Sequence, residues 1–296
     1  MSSLAENESG GRFGALFGSR FLRSTLRLCV TLALTFLGLL LVTFLIGRVV
    51  PIDPVLAVVG DRAPANVYER VRIEMGLDRP LYEQFFIYLK KAVTGDFGTS
   101  VLTANLVIDD IKRVFPATLE LATLGTVFGT VLGVPLGVLA AVRQGRFVDQ
   151  AVRVIGLLGY SAPIFWLGLM ALLVFYAHLG WTAGPGRLDI AYDYIVTPVT
   201  GMILVDSLMQ GEWDVFANAF SHAALPAILL GYFSLAYISR MTRSFMLNEL
   251  SQEYIVTARV KGLSEFRIIW GHALRNAAVP LVTVIALSYA NLLEGS

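Results

Sequence analysis

Residues that could perform chemistry are few in this sequence, and they lie far apart. The three histidines, His178, His222 and His272, have no helical spacing that would let two of them bind one metal ion. Ser161 lacks the second glycine of a Gly-x-Ser-x-Gly nucleophile motif, because Pro163 stands in its place. We therefore expect no metal site and no catalytic nucleophile, and we expect that this chain is not an enzyme. Each histidine is predicted to be an ordinary residue at the edge of a membrane span.

The sequence also has no phosphate-binding loop of the Gly-x-x-x-x-Gly-Lys-Ser/Thr type, so we expect no nucleotide cofactor in this chain. Of its 296 residues, 56% are hydrophobic and 15% are charged. Soluble proteins usually carry about 25% charged residues. The excess of apolar surface predicts a lipid bilayer as the main partner, and the formal net charge of +1 gives no indication of nucleic-acid binding.

Five segments are apolar and uncharged over roughly the 20 residues that a helix needs to cross a bilayer, although the last two are near the lower limit. They predict an all-α, polytopic membrane protein, with spans at Leu28–Gly47, Leu121–Val142, Val154–Ala177, Ala223–Ser239 and Ala277–Leu293.

The absence of charged residues from these spans bears on the energy source of a transporter. Carriers driven by protons or ions usually keep ionisable groups inside their spans, where such groups are costly and therefore functional. The uncharged spans therefore favour a transporter that is driven from outside the bilayer. An ion-coupled secondary transporter is the alternative.

Loop charges predict the orientation, because cytoplasmic loops carry an excess of Lys and Arg. Arginines in segment 1–27, in the loop after the second span and in segment 240–275 place these regions in the cytoplasm, including the N-terminus. We expect residues 48–114 to form a small periplasmic region after the first span (28–47), and residues 115–296 to form the core domain.

The periplasmic region contains turn signals that separate two predicted short helices, Val67–Met75 and Leu81–Val93. A further apolar stretch, Ile195–Met209, contains Pro198 and Asp206. We interpret it as a re-entrant or surface segment at the outer side rather than as a sixth span.

Within the spans, two sets of residues are candidates for function. The first is a run of glycines at four-residue spacing, which lie on one helix face and favour close helix packing, or a smooth wall beside a pathway: Gly125, Gly129, Gly133 and Gly137. The second is a set of candidate pathway residues: Tyr160, Ser161, Phe165, Trp166 and Asn291.

The segment between the last two spans contains clear sequence signals for the beginning and end of helices. Asn248–Lys261 is predicted to be a short helix that ends at Gly262, since glycine favours the left-handed conformation after a helix. Ser264 is suited to cap a second helix, with Glu265 in its first turn. A docking element for a cytoplasmic partner is the favoured interpretation, with a solvated loop as the alternative.

The residues Glu253–Glu265 resemble the coupling motif of permease subunits of ABC importers, in the form found in the dipeptide, oligopeptide and nickel permease family. Where the general motif has Glu-Ala-Ala before its glycine, this sequence has Val256–Thr257–Ala258, as in the peptide subgroup. Further similar segments follow the family's order along the chain: Gly76–Pro80, Gly95–Gly98, Pro116–Leu121, Phe165–Gly168, Leu225–Ala227, His272–Asn276 and Pro280.

This resemblance implies a multi-pass subunit of the bacterial inner membrane, with six spans in the family and five visible here. Its implied partners are a homologous second permease, two ABC ATPase subunits that bind ATP and Mg²⁺, and a periplasmic binding protein that delivers peptides or similar small solutes. Coupling to the ATPases is implied for segment 248–265, and its site residues would be Thr257, Ala258, Lys261, Gly262, Leu263, Ser264 and Glu265.

Overall fold

The structure is a computed structural model that describes residues 6–49, 54–60, 63–100, 102–103 and 105–295. These residues form helices, turns and irregular loops, the longest of which precedes the helix Ile203–Gln210, with a single isolated β-bridge between Thr99 and Leu106. The predicted all-α class is therefore confirmed. The chain divides into two compact units, Met1–Asp110 and Ile111–Ser296.

The first unit contains four helices: α1 (Glu6–Val49), α2 (Pro54–Val59), α3 (Ala65–Glu74) and α4 (Leu81–Val93). The two short helices predicted in this region are α3 and α4, and both are confirmed. Phe44 of α1 is buried between two aromatic rings of α4, with ring centroids 5.4 Å from Phe85 and 5.7 Å from Tyr88. Most other side chains of α1 between residues 22 and 47 are exposed, which suits a helix whose solvent is lipid.

The second unit is built around one long helix, α9 (Trp213–Leu250). The other helices in this unit are α5 (Val107–Val142), α6 (Phe147–Ser161), α7 (Ile164–Ala171), α8 (Ile203–Gln210), α10 (Glu253–Val260) and α11 (Leu274–Gly295). Two π-helical segments, Leu172–His178 and Arg267–Ala273, continue α7 and precede α11.

Four helices in the described part of the chain are long and apolar enough to cross a membrane: Leu22–Gly47, Val107–Val142, Trp213–Leu250 and Arg267–Gly295. All four extend beyond the uncharged stretches that predicted them. A helix of 38 residues such as α9 is about 57 Å long, which exceeds the hydrocarbon core of a bilayer. Its charged ends therefore lie outside the apolar stretch.

The third predicted span, Val154–Ala177, is wrong as a single straight helix. The chain bends by 95° between Phe147–Gly159 and Ile164–His178, so this region is one broken span or a re-entrant pair. Pro163 is the physical reason, because its ring disfavours a helical conformation at the preceding residue. Ala162 accordingly has an extended backbone, with φ −96° and ψ 134°.

The glycine face of α5 lies against α9. A Cβ atom added at Gly129 would lie 2.5 Å from Ser234 Cβ, and one added at Gly137 would lie 2.6 Å from the carbonyl oxygen of Ser239. Gly125 and Gly133 approach the same helix almost as closely. The two backbones therefore come nearer to each other than any larger side chain would permit.

The apolar stretch Ile195–Met209 is not a span. It forms a loop followed by the eight-residue helix α8, and the buried carboxylate of Asp206 holds the loop. Asp206 accepts hydrogen bonds from the backbone N–H groups of Val199 (3.1 Å), Thr200 (2.8 Å) and Gly201 (3.0 Å), and from the Thr200 hydroxyl (2.7 Å). Burial raises the pKa of Asp206, but these donors outweigh it, and the net shift is downward.

We expect Gly129→Ala to destabilise the protein by about 1–3 kcal/mol, because the added methyl group must displace Ser234 or separate α5 from α9. Gly168→Ala is the matched control, since an added Cβ there meets nothing within 4 Å. The measurement is the midpoint of thermal unfolding of the purified protein in detergent. Equal midpoints for the two variants would contradict a close contact at Gly129.

We expect Asp206→Asn to expose the backbone amides of residues 199–201, because a neutral amide is a weaker acceptor than a carboxylate. Because folding lowers the pKa of Asp206, its contribution to stability is complete above the ordinary carboxyl pKa and is lost as the pH falls below about 4. Hydrogen-exchange protection of these amides, measured against pH, checks both statements. Asp214→Asn, at an exposed position in the first turn of α9, should leave the protection unchanged.

Candidate functional site

The candidate site is the segment that connects α9 to α11. Its helix begins at Glu253 rather than at Asn248 as predicted, because α9 continues to Leu250 and the chain then turns at Ser251 and Gln252. The Asn248 carbonyl accepts hydrogen bonds from the Ser251 hydroxyl (2.7 Å) and the Gln252 side chain (3.3 Å). The predicted arrangement of helix, glycine turn and second helix is otherwise present.

One side chain anchors α10 to the body of the unit. Ile255 is fully buried in a cluster with Met246 of α9, Val138 of α5 and Ile268 of the following π-helical segment. Tyr254 adds a second link, since its hydroxyl donates to Glu249 Oε2 at 2.7 Å. Burial and the Glu249 carboxylate both raise the pKa of Tyr254. The helix is therefore fixed to several long helices at once.

The other side of this segment is exposed and partly apolar. The exposed fractions are 56% for Val256, 81% for Val260 and 74% for Phe266. Thr257 and Lys261 are also exposed, whereas Ala258 and Leu263 are partly buried against the cluster around Ile255. An anchored helix that presents valine and phenylalanine to its surroundings is suited to dock against another protein.

The turn after α10 requires glycine for its conformation. Gly262 has φ +77°, which side chains rarely adopt, although an added Cβ would meet nothing within 4 Å. Its N–H donates to the Arg259 carbonyl at 2.9 Å, and the Leu263 N–H donates to the Ala258 carbonyl at 3.2 Å. These bonds satisfy the carbonyls at the end of the helix, as in a Schellman-type cap.

An ion pair crosses this turn. Arg259 Nε donates to Glu265 Oε1 at 2.9 Å and its Nη2 donates to Oε2 at 3.3 Å, which lowers the pKa of Glu265 and raises the pKa of Arg259. Both side chains are about half exposed, so the pair contributes little stability. Glu265 lies in the first turn of the second helix as predicted, and the Ser264 carbonyl accepts the Ile268 N–H at 3.0 Å.

The candidate pathway residues do not all come together. Asn291 lines a cavity of about 440 Å³ between α9 and α11, together with Ser234, Ser288, Tyr237 and Ile164. Phe165 and Trp166 lie next to Ile164 on α7 and are exposed, 70% and 49% respectively. Ser161 donates its hydroxyl proton to the Leu157 carbonyl at 2.9 Å, and the side chain of Tyr160 lies outside the described residues.

Sequence reasoning missed two polar clusters at the ends of the long helices, one around a buried carboxylate and one that is partly buried. Near one end of α9, the buried carboxylate of Asp149 accepts from Arg243 Nε at 2.6 Å and Nη2 at 2.8 Å. Near the other end, Glu120 accepts from Arg187 at 3.2 Å and from the Leu204 N–H at 2.7 Å. The partners are between 67 and 94 residues apart, so no local sequence signal could have paired them.

The histidine at position 222 is also not the ordinary span-edge residue that was predicted. His222 is 6% exposed, and its Nδ1 lies 2.9 Å from the Gly184 carbonyl oxygen, while its Nε2 lies 3.3 Å from Asp189 Oδ1. Asp189 in turn accepts from the Asn218 side chain at 2.6 Å. These contacts fix the loop before α8 to the N-terminal part of α9.

Two descriptions of a membrane-protein family match this chain. Residues 133–296 match the family described as the binding-protein-dependent transport system inner membrane component, and residues 20–122 match the N-terminal region of the same kind of membrane component. Together these matches cover both units of the chain.

Named relatives are similar over most of their length. The probable D,D-dipeptide transport system permease protein DdpB of Escherichia coli K12 is 42% identical over 90% of this chain and 78% of its own. The di/tripeptide transport system permease protein DppB of Pseudomonas aeruginosa is 43% identical over 88% and 78%. The glutathione transport system permease protein GsiC of an E. coli O1:K1 strain is 35% identical over 86% and 73%.

The family match over residues 133–296 includes the anchored segment, the long helix α9 and two glycines of the α5 face, Gly133 and Gly137. The chain is thus an inner-membrane permease subunit of the ABC transporter class, and it belongs to the family of binding-protein-dependent transport system inner membrane components.

Proposed function

We propose that this chain is the translocation subunit of an ATP-driven importer of peptides or similar small solutes, and that segment 248–265 couples it to separate ATPase subunits. The observation that carries the proposal is the exposed side of α10 and its turn. Val260 and Phe266 face outward there, while Ile255 fixes the same helix to the core. A partner that binds this surface would act on α5, α9 and α11 through one buried cluster.

The partners follow from the family and from what this chain lacks. Its 296 residues contain no Gly-x-x-x-x-Gly-Lys-Ser/Thr loop, so the two ATPase subunits that bind ATP and Mg²⁺ would be separate chains. A homologous second permease would complete the pathway. A periplasmic binding protein would deliver the solute to the outer side, where residues 48–114 would help to receive it.

The proposed orientation places the N-terminus, the loop between α5 and α6, and segment 240–275 in the cytoplasm. Arg143 and Arg146 lie in the first of these loops, and Arg240, Arg243 and Arg259 lie in the second segment. This distribution of arginines is the pattern expected of cytoplasmic loops. It puts α10 on the same side as the ATPases.

A peptide substrate is supported by the names of the relatives, which are permeases for dipeptides, tripeptides and glutathione. The cavity beside Asn291 suits a pathway for such solutes because it carries hydroxyl and amide groups from Ser234, Ser288 and Asn291. These groups can form transient hydrogen bonds with a peptide without fixing a charge. We propose this cavity, with Phe165 and Trp166 nearby in sequence, as part of the pathway.

The proposed mechanism is a rigid-body movement. Closure of the ATPases on ATP would displace α10, and the long helices would rock between inward-open and outward-open states. Such a transporter needs no proton relay in its spans. The ion-coupled alternative is not favoured. The buried carboxylate of Asp149 accepts hydrogen bonds from Nε and Nη2 of Arg243, so it is not available to carry a proton.

We expect Gly262→Pro to uncouple ATP hydrolysis from uptake, because proline cannot adopt φ +77° and would break the turn beneath the docking surface. Gly211→Pro is the matched control. Gly211 also has φ +77° and meets nothing within 4 Å, but it lies in the turn before α9 on the proposed outer side. Both variants should insert into the membrane, and hydrolysis and uptake are then measured in proteoliposomes of the complete complex. Full uptake with Gly262→Pro would remove the turn from the mechanism.

We expect Val260→Glu to weaken association with the ATPase subunits by on the order of tenfold or more, because it places a charge at the most exposed apolar position of α10. Val199→Glu is the control, since Val199 is also well exposed but lies in the loop before α8. Copurification of the ATPase with each variant provides the measurement. Equal recovery for both variants would show that α10 is not the docking helix.

A further inference from the structure

A second cavity, which the transport cycle proposed above does not use, lies between α6 and α9. It has a volume of about 370 Å³, which is space for roughly a dozen water molecules. Three of the described residues that line it are arginines and none is acidic.

The polar part of this cavity carries positive charge. The buried Asp149 carboxylate accepts two hydrogen bonds from Arg243 and a third from the Gly145 N–H at 2.9 Å, so it neutralises one guanidinium and holds it in place. Arg153 and Arg240 supply two further charges at the same cavity, and Arg240 also lies over the Tyr237 ring at 5.9 Å. With the hydroxyl of Ser244, this lining is suited to a phosphate group.

The other part of the cavity is apolar. Val152, Gly156, Leu157 and Ala236 form it, and Leu157 is 66% exposed. Gly156 leaves a groove on α6, because a Cβ added there would meet only the Ala236 carbonyl oxygen, at 3.8 Å. A ligand that fits both parts has an anionic head and an apolar chain.

The position of the cavity across the bilayer indicates which kind of ligand it binds. Arg153 immediately precedes the uncharged run that begins at Val154, and Arg240 immediately follows the uncharged run that ends at Ser239. The cavity therefore lies where hydrocarbon gives way to lipid headgroups, and basic pockets between helices at this depth bind anionic headgroups. We propose that the cavity between α6 and α9 is a binding site for an anionic phospholipid, whose phosphate lies among Arg153, Arg240 and Arg243 and whose acyl chain lies along Gly156 and Leu157.

The test uses the complete transporter complex in nanodiscs of phosphatidylcholine mixed with phosphatidylglycerol. Native mass spectrometry then measures which lipid stays bound after the disc is removed. We expect selective retention of phosphatidylglycerol by the wild type and a roughly tenfold loss of that selectivity in the double variant Arg153→Gln/Arg240→Gln. The matched control, Arg143→Gln/Arg146→Gln, removes the same charge from the exposed loop between α5 and α6 and should retain the lipid.

A second variant tests the apolar part without altering charge. Gly156→Phe would fill the groove and should lower phosphatidylglycerol retention while leaving the three arginines in place. The site would be refuted by equal retention of the two lipids in the wild type, or by wild-type retention in both the double variant and Gly156→Phe. It would also be refuted if excess inorganic phosphate displaced the lipid completely, because the site would then bind free anions. These outcomes do not depend on ATP hydrolysis or uptake, so they are independent of the proposed transport function.

Discussion

The close contact between α5 and α9 is the interaction on which the second unit depends. In lipid there is no hydrophobic effect to press one apolar helix against another, so van der Waals contact and interhelical hydrogen bonds must hold the unit together. Four glycines remove every side chain from one face of α5, and the backbone of α9 approaches within the space of a missing Cβ. On its other sides α9 contacts α6, α8 and α11, and its Ser234 hydroxyl lies 2.8 Å from that of Ser288 on α11.

The lipid environment also determines where charged residues can lie. A charged group within hydrocarbon is costly, so charged residues occur at the ends of the long helices. The two buried carboxylates among the described residues are compensated in different ways, Asp149 by an arginine and Asp206 by backbone N–H groups and a hydroxyl. Asp149 with Arg243 fixes α6 to α9, and Glu120 with Arg187 fixes the loop before α8 to α5. Asp149 is almost fully buried, so removing Arg243 would leave an uncompensated buried charge and would destabilise the protein.

The sequence predicted those features that depend on local pattern. The apolar runs identified the membrane helices, because lipid requires about 20 uncharged residues wherever a helix crosses it. The glycine spacing identified the contact face of α5, and Gly262 marked the end of α10. Features that depend on long-range contacts could not be predicted. Nothing near Asp149 in the sequence points to Arg243, and the run Val154–Ala177 hid a 95° bend, since Pro163 can kink a helix or end it.

Segment 248–265 illustrates how the two kinds of information combine. Its sequence predicted the helix and the glycine turn and carried the resemblance. The way in which the segment is anchored to the membrane helices became evident only in the structure. Ile255 shares one buried cluster with Met246, Val138 and Ala277, which belong to three different membrane helices. Protein interiors are close-packed and transmit displacement rather than absorb it. A force applied at Val260 would therefore reach α5, α9 and α11 together. This arrangement favours a collective movement of the helices over a local hinge at Gly262, whose turn is closed by its own hydrogen bonds and by the Arg259–Glu265 pair.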